Sequence, residues 1–263
     1  NILPDVAKAI QDKMAEKGIE KADVEGVGIG IPGPINSKGE AACAVNLYWG
    51  FTPVAQILHD LTGLKACAGN DANVAALGEA WKGAAAGSDN VIMVTLGTGV
   101  GGGIIVDGKI VAGTHGAGGE IGHVLVVRGE AEKCNCGNHG CLETYCSANA
   151  LKVTAGMPIK DFFNLLHQTQ APNLIQIWRN YLDHLAFAIR NLNLVIDSPV
   201  IISGYLAPYF LDADMQYLLN KVNEGSLFQM TEDQLLVGNH GQYTPAIGAA
   251  LYYIKEFLTP VVS

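Results

Sequence analysis

One short segment, residues 123–143, carries most of the side chains that could bind a metal ion. Its sequence, "HVLVVRGEAEKCNCGNHGCLE", contains the donor residues His123, Cys134, Cys136 and Cys141. Three thiolates and one imidazole are a common tetrahedral ligand set for zinc. Because four protein ligands leave no position for a reactive water, we expect this zinc to be structural. The alternative is a loop of free or oxidised thiols, although a disulfide between Cys134 and Cys136 would close a strained small ring.

Two glutamates stand beside these proposed ligands. Glu120 precedes His123 in "GGEIGH", and Glu143 follows Cys141 in "GCLE". A metal that fixes this segment also fixes both carboxylates, which can then accept hydrogen bonds from the hydroxyls of a sugar. The alternative is that both glutamates are solvated loop charges. Their position next to the ligands favours a site for a polyhydroxylated ligand.

A glycine-rich stretch, "TLGTGVGGG" at residues 95–103, predicts a strand that enters a tight turn. Backbone N–H groups and a threonine hydroxyl can bind phosphate there, since glycines have no Cβ atoms to obstruct it. The stretch lacks the lysine of a P-loop, and no G-x-G-x-x-G introduces a helix. A plain hairpin turn therefore stays open as the alternative to a phosphate site.

A further polar pair lies in "GNDAN", residues 69–73, where an apolar strand is predicted to give way to a helix. Ligands of open α/β sheets bind at the carboxyl ends of strands, and Asn70 and Asp71 fall there. An aspartate at this point can accept a proton from a substrate hydroxyl that attacks a phosphoryl group. The alternative is helix capping, for which Asp and Asn are preferred residues. Both can hold, because the two residues need not share one role.

The composition excludes several classes of protein. The chain has 263 residues, of which 49% are hydrophobic, and a net charge of −9 from 16 Lys and Arg against 25 Asp and Glu. This charge argues against unaided binding of nucleic acid. No apolar run approaches the roughly 18–20 residues of a membrane span. Without an export signal, the six cysteines favour a reducing compartment, so we expect a cytoplasmic protein.

Strands and helices alternate in the predicted secondary structure, which favours an α/β fold. Helical periodicity is found in "NILPDVAKAIQDKMAEKG", "TPVAQILHDLTG", "ANVAALGEAWKGAAAG", "NLIQIWRNYLDHLAFAIRNLNLVI" and "TPAIGAALYYIKEFL". Apolar strands are predicted in "VEGVGIGIPGP", "KACAGND" and "SPVIISG", and two more flank the glycine-rich turn.

Taken together, these segments resemble the ROK family of bacterial repressors and sugar kinases, and above all its glucokinase-type kinases. The matching pieces are "GVGIGIPGP", "AVNLYW", "NDANVAALGE", "VTLGTGVGGGII", "GAGGEIGH", "CNCGNHGCLE" and, more loosely, "TPAIGAAL". The resemblance implies an actin-like (ribonuclease H-like) α/β fold with two lobes and a ligand cleft. We expect the N-terminal lobe at residues 1–72 plus 247–263 and the C-terminal lobe, with its zinc-bound loop, at residues 73–246.

The resemblance also implies a role for each site residue. Asp71 would be the catalytic base acting on the 6-hydroxyl of a hexose, glucose first among them, with Mg-ATP as the phosphoryl donor. The sugar would be bound by Gly33, Asn46, Asn70, Glu120, His123 and Glu143. The nucleotide would be bound by Gly97, Thr98, Gly99 and Gly204. Structural zinc would be bound by His123, Cys134, Cys136 and Cys141. The family further implies a homodimer.

Several features depart from the kinases of this family. Those kinases begin with a D-x-G-G-T turn that holds phosphate and magnesium, and nothing similar precedes "NILPD", so we expect the first strands of the N-terminal lobe to be missing. The adenosine-side turn is "SGYL", in which Tyr205 stands where the family often has glycine, and the segment between Glu143 and Pro158 is short. The missing strands and the "SGYL" turn favour an alternative function, the sugar-sensing domain of a ROK-type repressor without kinase activity. The complete "NDAN" and "TLGTGVGGG" segments favour the kinase.

Overall fold

A computed structural model describes residues 2–42, 44, 47–114, 116–129, 131–239 and 243–258. The first half of the chain contains α1 (Leu3–Lys17), β1 (Val27–Ile31), α2 (Val54–Thr62), β2 (Ala66–Asn70), α3 (Asp71–Lys82), β3 (Val91–Leu96), β4 (Val100–Val106) and β5 (Lys109–Ile110). The second half contains α4 (Glu143–Cys146), α5 (Ala148–Ala155), α6 (Ile159–Thr169), α7 (Pro172–Val195), β6 (Val200–Ser203), α8 (Asp212–Asn223), β7 (Leu235–Val237) and α9 (Thr244–Leu258). The predicted α/β alternation is confirmed.

The strands in the described part of the chain form two separate sheets. β1 and β2 pair in parallel, with Ile31 opposite Asn70. The other five strands form a mixed sheet in the order β5-β4-β3-β6-β7, in which β3 is antiparallel to β4 and parallel to β6. Strand β2 leads directly into α3, and β3 leads into the glycine-rich turn. Both proposed site segments therefore lie at carboxyl ends of strands.

Each sheet is covered by its own apolar core. Helices α1 and α2 pack on the two-stranded sheet through buried residues that include Leu3, Ile31 and Leu58. The helices between α4 and α8 pack on the five-stranded sheet in a larger cluster, in which Phe162 and Phe163 are almost fully buried. A third cluster packs on the five-stranded sheet through residues that include Ala76 of α3, Met93 of β3 and Leu251 of α9. The lobe boundaries stay a prediction.

Helices α3 and α9 cross at very short range. A Cβ atom added to Gly248 on α9 would lie 1.5 Å from the carbonyl oxygen of Val74 on α3. Helix α9 also lies close to the first sheet, since a Cβ on Gly28 would lie 2.1 Å from the carbonyl oxygen of Ala249. Glycines on both sides of α9 thus fix the position of α3 relative to the two-stranded sheet.

This crossing gives a stability prediction. We expect Gly248→Ala to lower the free energy of unfolding by about 1–3 kcal/mol, because the new methyl group meets backbone that cannot rotate away. Gly50→Ala is the matched control, since a Cβ there has no neighbour within 4 Å. Urea unfolding of both variants measures the effect as a shift in midpoint. An unchanged midpoint for Gly248→Ala would contradict the close crossing.

Among the helices in the described part of the chain, none has the length and apolar character needed to cross a membrane.

Candidate active site

A cleft of about 460 Å³ is lined by residues from both sheets. Its walls come from the segments that follow β1 and β2, the turn between β3 and β4, the loop that ends at Glu120, and the start of α4. The polar side chains on these walls are those of Asn70, Asp71, Thr95, Thr98, Glu120 and Glu143. A concave site of this size with a few convergent polar groups suits a small-molecule ligand.

Asn70 and Asp71 follow one another at the start of α3, and the helix-capping contact is made by Asn70. The side chain of Asn70 caps α3, because its Oδ1 accepts a hydrogen bond from the backbone N–H of Asn73 at 3.0 Å. Its Nδ2 donates to the carbonyl oxygen of Gly33 at 3.1 Å, which ties the end of β2 to the turn after β1. Capping is therefore confirmed for Asn70 and leaves the Asp71 carboxylate available for chemistry.

The Asp71 carboxylate is half-buried at the first turn of α3. Its Oδ1 accepts a hydrogen bond from the backbone N–H of Ala72 at 2.9 Å. Burial raises the pKa of this carboxyl above its ordinary value, and the hydrogen bond from Ala72 opposes that shift. A carboxylate with a raised pKa is a stronger proton acceptor, as a general base requires.

The glycine-rich turn is held from two sides. Within it, the N–H of Gly97 donates to the carbonyl oxygen of Gly99 at 2.9 Å, and the carbonyl oxygen of Gly97 accepts from the N–H of Ala148 at 2.8 Å. Thr98 at its tip is exposed. The turn therefore presents backbone and a hydroxyl to the cleft, while α5 fixes its base.

Gly204 lies against the strand that leads into this turn. Its φ is +91°, and an added Cβ would lie 2.8 Å from the backbone of Leu96, so the position requires glycine. The N–H of Leu206 donates to the carbonyl oxygen of Leu96 at 3.0 Å. Gly204 thus supports the turn from the side of β6, and its predicted contact with the nucleotide stays a prediction.

Glu143 contacts the glycine-rich turn directly. Its Oε2 accepts a hydrogen bond from the backbone N–H of Val100 at 2.9 Å. A Cβ on Gly99 would lie only 2.3 Å from the same oxygen, so a side chain at position 99 would displace this carboxylate. The sequence predicts a sugar contact for Glu143 but not this hydrogen bond, which joins residues 43 positions apart.

The four predicted metal ligands come together. Their donor atoms all lie within 4.8 Å of one another. His123 Nδ1 lies 3.6 Å from Cys134 Sγ, and Cys136 Sγ lies 3.6 Å from Cys141 Sγ. Tetrahedral zinc with Zn–S bonds of about 2.3 Å separates two sulfur ligands by about 3.8 Å, so both the donor types and their spacing fit zinc. The cysteines of the cluster are free thiols, which does not support the disulfide alternative.

The thiols of this cluster differ in acidity. A hydrogen bond from the backbone N–H of Asn138 is the main cause that lowers the pKa of Cys136, which is exposed. Burial raises the pKa of Cys141 to about 12. A bound cation that holds Cys141 as a thiolate would offset that cost, as expected for a metal site.

The imidazole of His123 faces two ways. Its Nδ1 points to the thiol cluster, and its Nε2 lies 4.0 Å from Glu120 Oε2 on the side of the cleft. The side chain of His123 thus lies between the thiol cluster and Glu120. His123 is not among the residues that line the cleft, so its predicted contact with the sugar stays a prediction.

Comparison with known proteins identifies the family. The model of the ROK family matches residues 3–256. The chain belongs to the ROK family. A glucokinase of Halalkalibacterium halodurans is 44% identical over 151 residues, which are 57% of this chain and 46% of that protein. A xylose repressor of Caldicellulosiruptor bescii is 38% identical over 144 residues, which are 52% of this chain and 36% of that protein. The matches of this ROK chain thus cover less than half of the length of each of these two relatives.

A solved ROK structure supports the fold. The crystal structure of a ROK family glucokinase from Streptomyces griseus, in complex with glucose and AMPPNP, superposes with a TM-score of 0.78 at 27% identity. The match covers 95% of this chain and 88% of that one. The predicted actin-like α/β fold with a ligand cleft is confirmed.

Most of the residues that the ROK resemblance assigns to the site lie in this cleft. The lining includes Gly33, Asn70, Asp71, Gly97, Thr98, Gly99, Glu120 and Glu143. The metal cluster lies beside it, joined to it through His123 and Glu120. Asn46, also predicted to bind the sugar, lies outside the described residues. The structure brings these groups together, and their individual roles remain predictions.

A second cavity, of about 530 Å³, was not anticipated from the sequence. It lies between the segment that carries the thiols and helices α4, α5 and α7, and it shares Thr98 and Glu143 with the cleft. On its wall the rings of Tyr145 and His184 stack with centroids 4.5 Å apart. The hydroxyl of Tyr145 accepts a hydrogen bond from the N–H of Glu132 at 3.1 Å, which ties the thiol-bearing loop to α4. In this ROK chain, Glu143 and Thr98 thus border two neighbouring cavities.

Proposed function

We propose that this protein transfers the γ-phosphoryl group of Mg-ATP to the 6-hydroxyl of a hexose, with glucose as the first candidate. The observation that carries the proposal is the meeting of three groups in one cleft: the Asp71 carboxylate, the carboxylates of Glu120 and Glu143, and the glycine-rich turn. The similarity to glucokinases over half of the chain supports the same reaction.

Sugar recognition rests on acceptors and one donor at the rim of the cleft. Glu120 and Glu143 accept hydrogen bonds from sugar hydroxyls. If zinc were bound by Nδ1 of His123, Nε2 would carry the ring proton and could donate it to a hydroxyl or to Glu120. Zinc would supply no step of the reaction and would fix the segment from which these side chains project.

Phosphoryl transfer then needs positioning, charge neutralisation and a base. Backbone N–H groups of the turn and the hydroxyl of Thr98 bind phosphate oxygens. Mg²⁺, bound with ATP, neutralises charge that develops on those oxygens. Asp71 accepts the proton of the 6-hydroxyl as that oxygen attacks phosphorus. We further propose that lobes at residues 1–72 plus 247–263 and 73–246 enclose these groups.

The second candidate function is a sugar sensor in a repressor. The 38% identity to a xylose repressor favours it, since a repressor can keep the sugar site without using ATP. In that case the cleft would bind a sugar, and Asp71 would only contribute a hydrogen bond to it.

Release of ADP by the full-length native protein distinguishes a sugar kinase from a sugar sensor. We expect sugar-dependent ADP release from Mg-ATP across a panel of glucose, mannose, fructose, allose and N-acetylglucosamine, with glucose among the best substrates. A kinase also forms one sugar phosphate for each ADP. Sugar binding without ADP release at any concentration would reject the kinase and support the sensor.

A further inference from the structure

A buried side-chain amide with one unpaired polar atom lies beside the loop that carries Glu120. Asn73 is the third residue of α3 and is only 8% exposed. Its backbone N–H donates to Asn70, but its own Oδ1 is buried and has no hydrogen-bond partner in the described part of the chain. Buried polar atoms are almost always paired, because an unpaired one costs free energy. The amide oxygen of Asn73 is therefore a group to which the proposed reaction gives no role.

The residue before Glu120 lies against this oxygen. A Cβ added to Gly119 would lie 3.5 Å from Asn73 Oδ1 and 3.0 Å from the carbonyl oxygen of Gly102 on β4. Gly119 itself lines the cleft, and so does Glu120. The backbone N–H groups of Gly119 and Glu120 donate to no acceptor within the residues that the structure describes. An unpaired buried acceptor and two unused donors thus belong to segments in contact.

Asn73 also belongs to the same helix as the proposed base. Asp71 is the first residue of α3 and Asn73 is the third, so one rigid element holds both side chains. The helix is packed closely on the five-stranded sheet here, since a Cβ on Gly103 would lie 3.4 Å from the Cα of Asn73. Glu120, in contrast, is an exposed loop residue. A hydrogen bond between Asn73 and this loop would therefore fix the Glu120 carboxylate relative to Asp71.

From this arrangement we infer that Asn73 is a positioning residue for the sugar. Its Oδ1 accepts the backbone N–H of Gly119 or Glu120 when a sugar is bound, and so holds the Glu120 carboxylate toward the sugar hydroxyls. The inference rests on the proposed function and adds a residue to its sugar site. Asn73 is not among the residues that line the cleft, so it acts through Glu120. A sugar held in this way presents its 6-hydroxyl to Asp71 in one orientation.

Asn73→Leu in the full-length protein separates positioning from a merely structural role. Leucine has nearly the shape of asparagine, so without sugar the Tm should not fall, because an unpaired buried oxygen is replaced by an apolar group. Calorimetric titration should show the Kd for glucose raised by about 3–10-fold, the usual worth of one hydrogen bond. Ser198→Ala is the matched control, since it also removes a buried unpaired oxygen but lies before the start of β6, and its Kd for glucose should not change. A lower Tm with an unchanged Kd in Asn73→Leu would show that Asn73 only supports the fold.

Two further measurements test the route through Glu120. Adding Asn73→Leu to Glu120→Ala should leave the Kd for glucose of that variant unchanged, because the side chain to be positioned is gone. A crystal structure of the unmodified protein with glucose should show Asn73 Oδ1 within about 2.7–3.2 Å of the backbone nitrogen of Gly119 or Glu120. This distance also decides the question if Glu120→Ala binds too little glucose to be titrated. The same loss of affinity in both backgrounds, or a longer distance, overturns the inference and leaves the kinase intact, whereas failure of the unmodified protein to bind any sugar overturns the proposed function as well.

Discussion

Replacement of Asp71 by asparagine is expected to lower the rate of sugar phosphorylation by about 10²–10⁴-fold, the usual contribution of a general base. The amide oxygen of asparagine can still accept the N–H of Ala72, so the start of α3 should keep its geometry. An amide cannot take up the proton of the 6-hydroxyl, and kcat therefore falls while the Kd for sugar changes little. Asp60→Asn, on the surface of α2, is the control for loss of one carboxylate.

The dependence on pH separates a lost base from a distorted site. Only the ionised form of Asp71 can accept a proton, so kcat should fall as the pH is lowered through the pKa of this group. Because burial raises that pKa, the fall should occur above the range of an ordinary aspartate, which is about 3.9. The residual kcat of Asp71→Asn should not show this fall at low pH. If Asp71→Asn kept both the original kcat and its fall at low pH, another group would be the base.

Asp71→Asn should also be slightly more stable than the unmodified protein, although it is less active. The pKa of Asp71 is higher in the folded state than in the unfolded state. The carboxyl therefore contributes its full stabilisation at a pH below the unfolded-state pKa, and this stabilisation is lost as the pH rises through the folded-state pKa. At pH 7 the ionised Asp71 therefore opposes folding, and removing its charge should raise the Tm slightly. Thermal unfolding at pH 7 compares the variant with Asp60→Asn, for which no such gain is expected.

Loss of the metal cluster is the second change with a large expected effect. We expect Cys136→Ala to lose its zinc and to weaken sugar binding by about 10–100-fold or more, although Cys136 itself does not line the cleft. The physical reason is that zinc bound by this cluster would fix His123, whose Nε2 faces Glu120. It would also fix Cys141, which directly precedes the Leu142–Glu143 start of α4. Zinc content by mass spectrometry and the Kd for glucose check this result.

Cys136 is the ligand of choice for this experiment because its side chain is exposed, whereas Cys134 and Cys141 are buried. Its removal leaves no cavity in the core, so a loss of binding can be attributed to the metal. Cys67→Ala, which removes a half-buried thiol from β2, is the control and should keep both zinc and sugar affinity. Normal zinc content and normal glucose affinity in Cys136→Ala would contradict a structural role for the cluster.

Local patterns in the sequence predicted many of the elements and the metal cluster. Helix α1 is capped by Gly18, whose φ of +64° is the left-handed conformation that glycine favours at a helix end. The four ligands lie within one short segment, so their spacing alone limits how they can meet. Asn70 was recognised as a cap candidate because capping is decided within one turn of helix.

Contacts between distant segments could not be predicted in this way. The bond from Val100 to Glu143, the second cavity and the crossing of α3 with α9 all join segments far apart in the chain. Periodicity reports which face of an element is apolar but not which element covers it. Strand β7 has only three residues, too few for a period of two to stand out. Residue spacing likewise cannot predict that Nδ1 of His123 faces Cys134 while Nε2 faces Glu120, because this depends on the orientation of the ring.

The most direct test of phosphoryl transfer in this cleft is a crystal structure of the full-length protein with glucose and AMPPNP. We expect the 6-hydroxyl of glucose to lie within about 2.6–3.2 Å of the Asp71 carboxylate. We also expect the phosphates to lie against the turn formed by Gly97, Thr98 and Gly99. A sugar whose 6-hydroxyl faces away from Asp71, or phosphates bound away from that turn, would contradict phosphoryl transfer in this cleft.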